Sequence, residues 1–323
     1  MKYDIYFHND FDGRASAAVM LAFLQSRGDD IEHFVPVNYH LTKQWMGENF
    51  FRKHKLFKGK RNPPIVVDFM YHPGTAFWFD HHPTAFKKDS WKKKFKPDRF
   101  HHIEPRYASN CHLTYAALRS DFRWKPQPHL KELVRWADVI DGAHYKNPLQ
   151  TITIKEPAFE IDAFVDKTGD DEKQTVSLIK LLAKKSITEI ATLKKIKKAA
   201  ASIRKDNLKT LTFYRKHLKV MGDATFIDLV GSGFHSLRFA PYYLKPKLMY
   251  GVRLTEKNGL YHLGIGANPW IKGAAEKKHR DAHAGEILKK YGGGGHKKAG
   301  AVEFSTKSAA EKAVVEIIPL LNK

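Results

Sequence analysis

Cysteine is nearly absent from this 323-residue sequence, in which Cys111 stands alone. A single cysteine cannot form an internal disulfide, which fits a reducing compartment. No apolar run approaches the roughly 20 residues that span a bilayer. The first residues also lack the apolar segment of a secretion signal, because Asp4, His8 and Asp10 interrupt it. We therefore predict a soluble, cytoplasmic protein in which Cys111 is a small core residue.

Acidic residues are also scarce, with 34 Asp and Glu against 56 Lys and Arg and a formal net charge of +22. Such a surface attracts polyanions and raises their encounter rate at low salt. A solvated basic surface without a specific partner explains the charge equally well. Charge alone therefore does not identify the partner. The length of the chain suffices for two domains, each with its own hydrophobic core.

Strand and helix signals alternate in the first half of the chain. Apolar runs predict strands at 3–7, 31–37, 65–67 and 76–79, and helical patterns lie at 14–27, 109–118 and 130–140. This alternation predicts an α/β fold, with an N-terminal parallel sheet that has helices on both faces. Ligands of such sheets bind beyond the carboxyl ends of the strands.

The second half changes character twice. The segment from about 173 to 219 is helical by composition and heavily basic, which predicts a helical connector between domains. Its lysines are either a solubilising face or a nucleic-acid contact, with equal weight. Short strands and helices then predict a smaller C-terminal α/β domain. We place the domains at 1–165, 166–220 (the basic connector) and 221–323.

Acidic and imidazole side chains follow the first predicted strand. His8, Asp10 and Asp12 alternate along the chain, so in an extended segment they face the same side. Gly13 then permits a tight turn, and the start of the next helix adds backbone donors suited to a phosphate. The alternative is a plain turn in which the aspartates cap that helix.

Two further strand ends carry aspartate or histidine. Asp68 follows the strand at 65–67, and the tripeptide Asp80-His81-His82 ends the strand at 76–79. Neighbouring side chains diverge at a strand end, so we expect one imidazole to bind metal and the other to face substrate.

A fourth acidic group follows the helix at 130–140, where Asp138 and Asp141 are the two candidates. We favour Asp141, because it lies at the helix end before a glycine, and Asp138 stays the alternative. Six oxygen and nitrogen ligands suit two hard or borderline divalent ions such as manganese or magnesium, with zinc also open. The six candidates are His8, Asp10, Asp12, Asp68, His81 and Asp141.

These four elements, in this order, resemble the motifs of the DHH phosphoesterase superfamily. The nanoRNase (oligoribonuclease) branch has a first motif similar to His8-Asn9-Asp10-Phe11-Asp12-Gly13, and the DHH-associated C-terminal domain has a glycine-rich signature similar to 292–300. The resemblance covers nearly the whole chain. It implies two metal ions, usually manganese, held by the six candidates, with Asp68 and Asp141 shared between them.

The resemblance also implies residues that meet the substrate. His82 would contact the scissile phosphate, with Asp80 as its catalytic neighbour. The implied substrate-binding residues are Gly293, Gly294, Gly295 and His296, and Arg106 and Ser109 match less closely. One feature departs from many members, since His8 precedes Asp10 by two residues rather than four. That spacing separates this chain from the cyclic-dinucleotide branch and from typical family II pyrophosphatases.

The leading functional hypothesis is a two-metal phosphodiesterase that hydrolyses short oligonucleotides to mononucleotides. Its partners would be short single-stranded oligonucleotides or nucleotides, with a homodimer left open and no membrane. The first alternative is a RecJ-like exonuclease of single-stranded DNA, which the net charge favours and the lack of an obvious extra nucleic-acid-binding barrel disfavours. A 3′-phosphoadenosine 5′-phosphate phosphatase and a non-catalytic nucleic-acid-binding protein are the others.

Overall fold

The computed structural model describes residues 1–53, 61–169, 171–273 and 282–322. The chain divides into two compact units. The first unit comprises Met1–His144 and Lys155–Ala200, and the second comprises Tyr145–Ile154 and Ala201–Lys323. The residues of the predicted connector are thus divided between the units after Ala200, and the boundaries proposed from the sequence stay predictions.

A parallel sheet organises the first unit. Its strands are β1 (Lys2–His8), β2 (Asp30–Val37), β3 (Pro64–Val67), β4 (Phe77–Asp80) and β5 (His101–Ile103). They lie in the order β2-β1-β3-β4-β5, and each neighbouring pair is parallel. The strand order therefore reverses between β1 and β3, which is where doubly wound sheets open a crevice for ligands. The predicted parallel α/β fold is confirmed.

Apolar side chains cover both faces of this sheet, because successive residues of a strand point to opposite sides. In β3, Ile65 and Val67 join one buried cluster and Val66 joins another around Trp45 and Trp78. The helices of this unit, in chain order, are α1 (Phe11–Gln25), α2 (Thr42–Trp45), α3 (Phe50–Lys53), α4 (Asp89–Lys94), α5 (Asn110–Phe122) and α6 (Pro128–Asp141). After α7 (Pro148–Thr153), which belongs to the second unit, come α8 (Pro157–Thr168), α9 (Glu172–Leu182), α10 (Ile187–Ala191) and the start of α11 (Lys194–His217).

Helix α1 begins at Phe11, three residues before the predicted start at Arg14. Asp10 caps it, since its carboxylate accepts a hydrogen bond from the Gly13 N–H at 2.9 Å. A Cβ at Gly13 would overlap the carbonyl oxygen of His8, so only glycine lets the loop close this tightly. The capping aspartate and the missing Cβ together fold the segment between β1 and α1 into a compact loop.

The second unit is built on a mixed sheet. Its strands are β6 (Lys219–Met221), β7 (Ala224–Asp228), β8 (Tyr250–Lys257), β9 (Leu260–Ala267), β10 (Gly294–His296) and β11 (Ala299–Phe304), in the order β10-β11-β9-β8-β7-β6. Only the β7–β8 pair is parallel among these neighbours. The remaining helices are α12 (Ala240–Leu244), α13 (Ala284–Lys289) and α14 (Lys307–Leu321). The predicted smaller α/β domain has this sheet as its centre.

Part of the glycine run after α13 lies in a strand, since β10 comprises Gly294–His296. β10 pairs with β11, and a Cβ at Gly293 would meet the carbonyl oxygen of Ala301 at 2.5 Å. Gly295 has a φ of 143°, which L side chains rarely adopt, whereas Gly294 faces open space. Close packing therefore accounts for two of the glycines that the resemblance assigns to substrate. The side chain of His296 lies outside the described residues.

Two absences in the sequence have structural counterparts. Cys111 is completely buried in the larger core cluster of the first unit, which confirms that it is a core residue. Across the described ranges, none of the helices combines the length and the apolar character needed to cross a membrane.

Candidate metal centre

The carboxyl ends of β1, β3 and β4 bring the predicted ligands to one edge of the first sheet. Their ligand atoms form three groups, and within each group all atoms lie within 4.8 Å of one another. The groups are His8 with Asp10 and Asp68, Asp68 with His81 and His82, and Asp12 with His81 and Asp141. All six candidate ligands are therefore brought together, and the shared residues Asp68 and His81 connect the groups. Metal binding by these residues stays a prediction.

The tautomer of His81 is fixed by the backbone. Its Nδ1 lies 3.0 Å from the carbonyl oxygen of Tyr107, which can only accept, so Nδ1 carries a hydrogen, and in the neutral ring Nε2 has the lone pair. Among the described residues Nε2 is buried without a hydrogen-bond partner, 3.8 Å from oxygens of Asp12 and Asp68 and 3.4 Å from Asp141. A lone pair facing three carboxylates requires a cation or a proton between them. This donor set fits a divalent metal ion.

Asp68 occupies a costly position at the end of β3. Its side chain is buried, with 1% of the residue exposed, and Oδ1 finds no hydrogen-bond partner in the described part of the chain. Its φ of 57° is left-handed, a conformation that non-glycine residues rarely adopt. Burial and the neighbouring carboxylates, Asp12 foremost, raise the pKa of the Asp68 carboxyl well above its usual value. A bound cation would relieve both the burial cost and the repulsion.

Asp12 is held by the first turn of α5. Its two oxygens accept hydrogen bonds from the backbone N–H groups of Asn110 and Cys111, at 2.6 and 2.9 Å. The positive end of a helix dipole favours a carboxylate there. Burial and the charges of Asp141 and Asp10 nevertheless raise the pKa of the Asp12 carboxyl. Asp12 is thus a candidate ligand held by backbone donors, and within the described ranges no Lys or Arg forms an ion pair with it.

His8 and Asp10 form a contact of their own at the edge of the centre. His8 Nδ1 lies 2.7 Å from Asp10 Oδ2 and 3.8 Å from Asp68 Oδ2. Burial would raise the pKa of Asp10, but hydrogen bonds from His8 and the Gly13 N–H outweigh it, so that this pKa is lowered. The ring of Tyr39, which no sequence motif marked, lies 5.2 Å from the His8 ring.

His82 is oriented by Asp80. Asp80 Oδ1 lies 3.0 Å from the backbone nitrogen of His82 and 2.7 Å from its Nδ1. Burial lowers the pKa of His82, but the hydrogen bond and charge of Asp80 raise it further, so that the net shift is upward. Asp80 contributes to the centre through this imidazole, since it belongs to none of the three ligand groups.

The two alternatives for the fourth acidic group have different surroundings. Asp141 lies among the ligand groups, whereas Asp138 accepts a hydrogen bond from Ser109 Oγ at 2.7 Å and lies 2.8 Å from His112 Nδ1. Ser109 is itself buried as the N-cap of α5. The exposed Arg106 pairs with Glu104 at 2.7 Å. Neither predicted substrate residue of this segment belongs to a ligand group.

Arg14 is a supporting residue that the sequence did not reveal. It is completely buried, and it donates hydrogen bonds to Asn9 Oδ1 at 2.8 Å and to the carbonyl oxygen of Gly169 at 2.7 Å. Desolvation and the charges of Asp166 and Asp10 raise the pKa of the half-buried Asp162 of α8, and Arg14 opposes that shift. The buried guanidinium thereby ties the loop between the first ligands to the end of α8. Nothing in the local pattern separates Arg14 from an ordinary helix-surface arginine.

Comparisons with known proteins agree with this fold. No protein-family profile matches the chain, and no curated protein sequence does. Among solved structures, the chain is similar to a pGpG-specific phosphodiesterase, PggH, from Vibrio cholerae, with 18% identity, 99% of each chain covered and a TM-score of 0.70.

Two further solved structures are less similar. One is RecJ in complex with Mn²⁺ from Thermus thermophilus, with 15% identity, a TM-score of 0.54, and 99% of this chain but 52% of that chain covered. The other is an exopolyphosphatase-related protein from Bacteroides fragilis, with 13% identity, 100% and 94% coverage and a TM-score of 0.50. The chain has the fold of the DHH phosphoesterases, which confirms, at the level of the fold, the resemblance noted in its motifs.

Proposed function

We propose that this chain is a divalent-metal-dependent phosphodiesterase of the DHH type, which hydrolyses short oligonucleotides to mononucleotides. One observation carries the proposal: His81 Nε2 and Asp68 Oδ1 are buried 3.8 Å apart, and neither has a hydrogen-bond partner among the described residues. Buried polar atoms are nearly always satisfied in proteins, so a pair of lone-pair donors left facing one another indicates a cation site.

The donor groups on either side of Asp68 suit two ions, with His8 and Asp10 on one side and Asp12, His81 and Asp141 on the other. Manganese is our first choice and magnesium the second, and structures of RecJ with each of these ions are among the neighbours. When bound, two such ions would lower the pKa of a water molecule and neutralise charge on a phosphoryl group.

The residues of the chain would position that chemistry. The amides of α5 keep Asp12 in place before any ligand arrives, which is the preorganisation that electrostatic catalysis needs. Asp80 holds Nδ1 of His82 and raises its pKa, so that the other ring nitrogen is available to donate a hydrogen bond to a phosphoryl oxygen. In this proposal, Asp80 is a positioning residue and His82 is the residue that contacts the substrate.

The extent of the structural match favours a short substrate. This chain and the pGpG-specific phosphodiesterase cover 99% of one another, which supports a dinucleotide or slightly longer substrate. A RecJ-like exonuclease is the second candidate, favoured by the net charge of +22. The chain spans about half of that RecJ chain, which favours the first candidate.

The test is a panel of labelled oligonucleotides, from dinucleotides to long single strands, each with manganese, magnesium or a chelator. We expect fastest hydrolysis of dinucleotides to pentanucleotides and none with chelator. Cleavage restricted to long DNA would replace the proposal with the exonuclease, and binding of RNA without product, unaffected by chelator, would replace it with a non-catalytic role. Release of phosphate from 3′-phosphoadenosine 5′-phosphate tests the phosphatase.

An inactive variant is needed to assign any activity to this centre. Asp68→Ala should abolish turnover while the far-UV circular dichroism stays native. The matched control is Asp89→Ala, which removes an exposed aspartate of α4 and should leave turnover unchanged. Undiminished hydrolysis by the first variant would reject the assignment of the site.

A further inference from the structure

A second cavity lies at the amino edge of the first sheet, opposite the candidate metal centre. Its volume is about 350 Å³, at the small end of the range for ligand pockets, and residues at the starts of β1 and β4 and at the ends of α1 and α5 line it. Three arginines, Arg27, Arg99 and Arg123, contribute to its wall, and the rings of Phe100 and Phe122 are beside them. No sequence motif marked this group.

Two of the guanidinium groups converge on one aromatic ring. The Cζ atoms of Arg27 and Arg99 lie 5.8 and 5.6 Å from the ring centroid of Phe122. Arg27 also lies 5.5 Å from the Phe23 ring, and Arg99 lies 4.8 Å from the Phe100 ring. A guanidinium that stacks on a ring keeps its in-plane N–H donors available, in the planar arrangement that suits phosphate.

The positive charge of this cavity is not neutralised within the described residues. None of its three guanidinium groups forms an ion pair or a side-chain hydrogen bond there. Two carboxylates also lie in the wall: Asp29 pairs with the amino group of Met1, and Asp121 Oδ2 lies 2.8 Å from His102 Nε2. The two carboxylates and the carboxyl ends of α1 and α5, at about half a negative charge each, are outweighed by the three guanidinium groups and the Met1 amino group by about one positive charge. An anion would complete the charge balance.

Arg123 is held in this position at a conformational cost. It caps the end of α5 with a φ of 52°, a left-handed conformation that glycine or asparagine usually supplies at a helix end. Strain of this kind persists where the surroundings determine it, and it is concentrated at ligand sites. The left-handed backbone fixes where the Arg123 side chain leaves the end of α5, beside the cavity that it lines.

We propose that this cavity is a second ligand site, which binds the phosphate group of a small molecule of mononucleotide size. The guanidinium groups would bind the phosphate, and the aromatic wall would bind the flat, apolar part of the ligand. The site is separate from the metal centre, because the seven residues of β1 between the two edges span about 20 Å. The proposal does not depend on the hydrolytic function of the other edge.

The experiment measures binding of GMP and of inorganic phosphate to the full chain by calorimetry, with manganese and with a chelator. The chelator is needed because it removes metal ions through which the candidate metal centre could bind phosphate. We expect GMP to bind in chelator, and inorganic phosphate to bind at least about tenfold more weakly because it lacks the apolar part. No binding of GMP in chelator would overturn the proposal. Equal affinity for the two ligands would overturn the mononucleotide assignment.

Two matched double variants test the residues. Arg27→Ala with Arg99→Ala should weaken GMP binding at least about tenfold, because two charge-assisted contacts are lost. The control pair is Arg119→Ala with Arg135→Ala, since those exposed guanidinium groups also stack on rings, at 5.4 and 4.9 Å, but lie outside the cavity. It should leave the affinity unchanged, and an equal loss in both pairs would contradict the site.

A third variant separates binding from folding. Arg123→Gly removes the guanidinium and relieves the left-handed strain, so we expect a higher melting temperature together with weaker GMP binding. A residue with a purely structural role would not change the two readouts in opposite directions. A variant that melts higher and binds GMP with full affinity would remove Arg123 from the site.

Discussion

Two buried aspartates at opposite edges of the first sheet have the same exposure and opposite surroundings. Asp4 and Asp68 each leave 1% of their surface to solvent. Asp4 meets three polar groups at 2.8 Å, namely the backbone and side-chain N–H groups of Asn62 and Nδ1 of His33. Asp68 Oδ1 meets no donor among the described residues. Burial of a carboxylate therefore does not distinguish the two positions, whereas the missing hydrogen-bond partner of Asp68 Oδ1 does.

The strongest test of this comparison is Asp68→Asn, which keeps the size of the side chain and tolerates the left-handed backbone. We expect hydrolysis to fall at least about 100-fold, the upper range found for residues that merely support metal ligands. The metal-free variant should be more stable than the metal-free parent, because a buried like-charge repulsion is removed. Urea unfolding in chelator measures this, and a destabilised variant would mean that Asp68 is structural, as Asp4 is.

The second test separates the two candidates on α6. Asp141→Asn should reduce hydrolysis about 10- to 100-fold with little change in stability, because Asp141 faces His81 at 3.4 Å. Asp138→Asn should instead lower the free energy of unfolding by about 1 kcal/mol, through its contacts with Ser109 and His112. Steady-state kinetics and urea unfolding of both variants check this. The reverse pattern would assign the ligand to Asp138.

The third test concerns Asp4, whose carboxylate has hydrogen-bond partners. Asp4→Ala leaves the donors of Asn62 and His33, both partly buried, without their acceptor, so the free energy of unfolding should fall by about 2 kcal/mol. Turnover per folded molecule should stay unchanged, since Asp4 lies at the edge away from the metal centre. A variant with native stability and impaired turnover would show that Asp4 contributes to turnover and not to stability, contrary to the comparison.

The smallest expected effect is the change in the free energy of unfolding with pH that is due to His72. His72 is satisfied on both sides, because Nε2 donates to the Gly47 carbonyl oxygen at 3.1 Å and Nδ1 accepts from the Gly74 N–H at 3.0 Å. Burial lowers its pKa, so the folded state binds fewer protons than the unfolded state. The stabilisation is complete above the ordinary pKa of about 6.5 and decreases below it, by at most about 1.4 kcal/mol per pH unit.

Urea unfolding between pH 7.5 and pH 5.5 in chelator measures that slope. His72→Gln should be less stable at the higher pH and show a flatter dependence on pH, since the titrating group has gone. An identical slope in parent and variant would show that His72 does not titrate in this range.

Much of the candidate site could be predicted from the sequence, because its ligands stand at the ends of short apolar runs. The topology of a parallel sheet then brings those ends together without further information. The strand β5 escaped prediction, because His101-His102-Ile103 contains no apolar run and pairs only because β4 lies beside it. The strand β5 forms because it pairs with β4, although its own residues have little preference for a strand.

The parts that escaped prediction depend on contacts between distant residues. The N–H groups of Asn110 and Cys111 reach Asp12 across almost a hundred positions, and backbone donors leave no mark in a sequence. Substrate binding by glycines 293–295 stays a prediction, because glycine fits both a phosphate cradle and a tightly packed strand. The residue type predicts a role where the chemistry of a site requires a carboxylate or an imidazole. It is ambiguous at a glycine, which can be required by close packing alone.

The burial of Arg14 has a consequence for the order in which the protein is made. The loop that carries Asn9 and Asp10 is joined through this guanidinium to the carbonyl oxygen of Gly169, more than 150 positions later. During synthesis, the loop that carries Asn9 and Asp10 leaves the ribosome long before Gly169 does. The loop that carries Asn9 and Asp10 should therefore gain these hydrogen bonds only after translation has passed the end of α8.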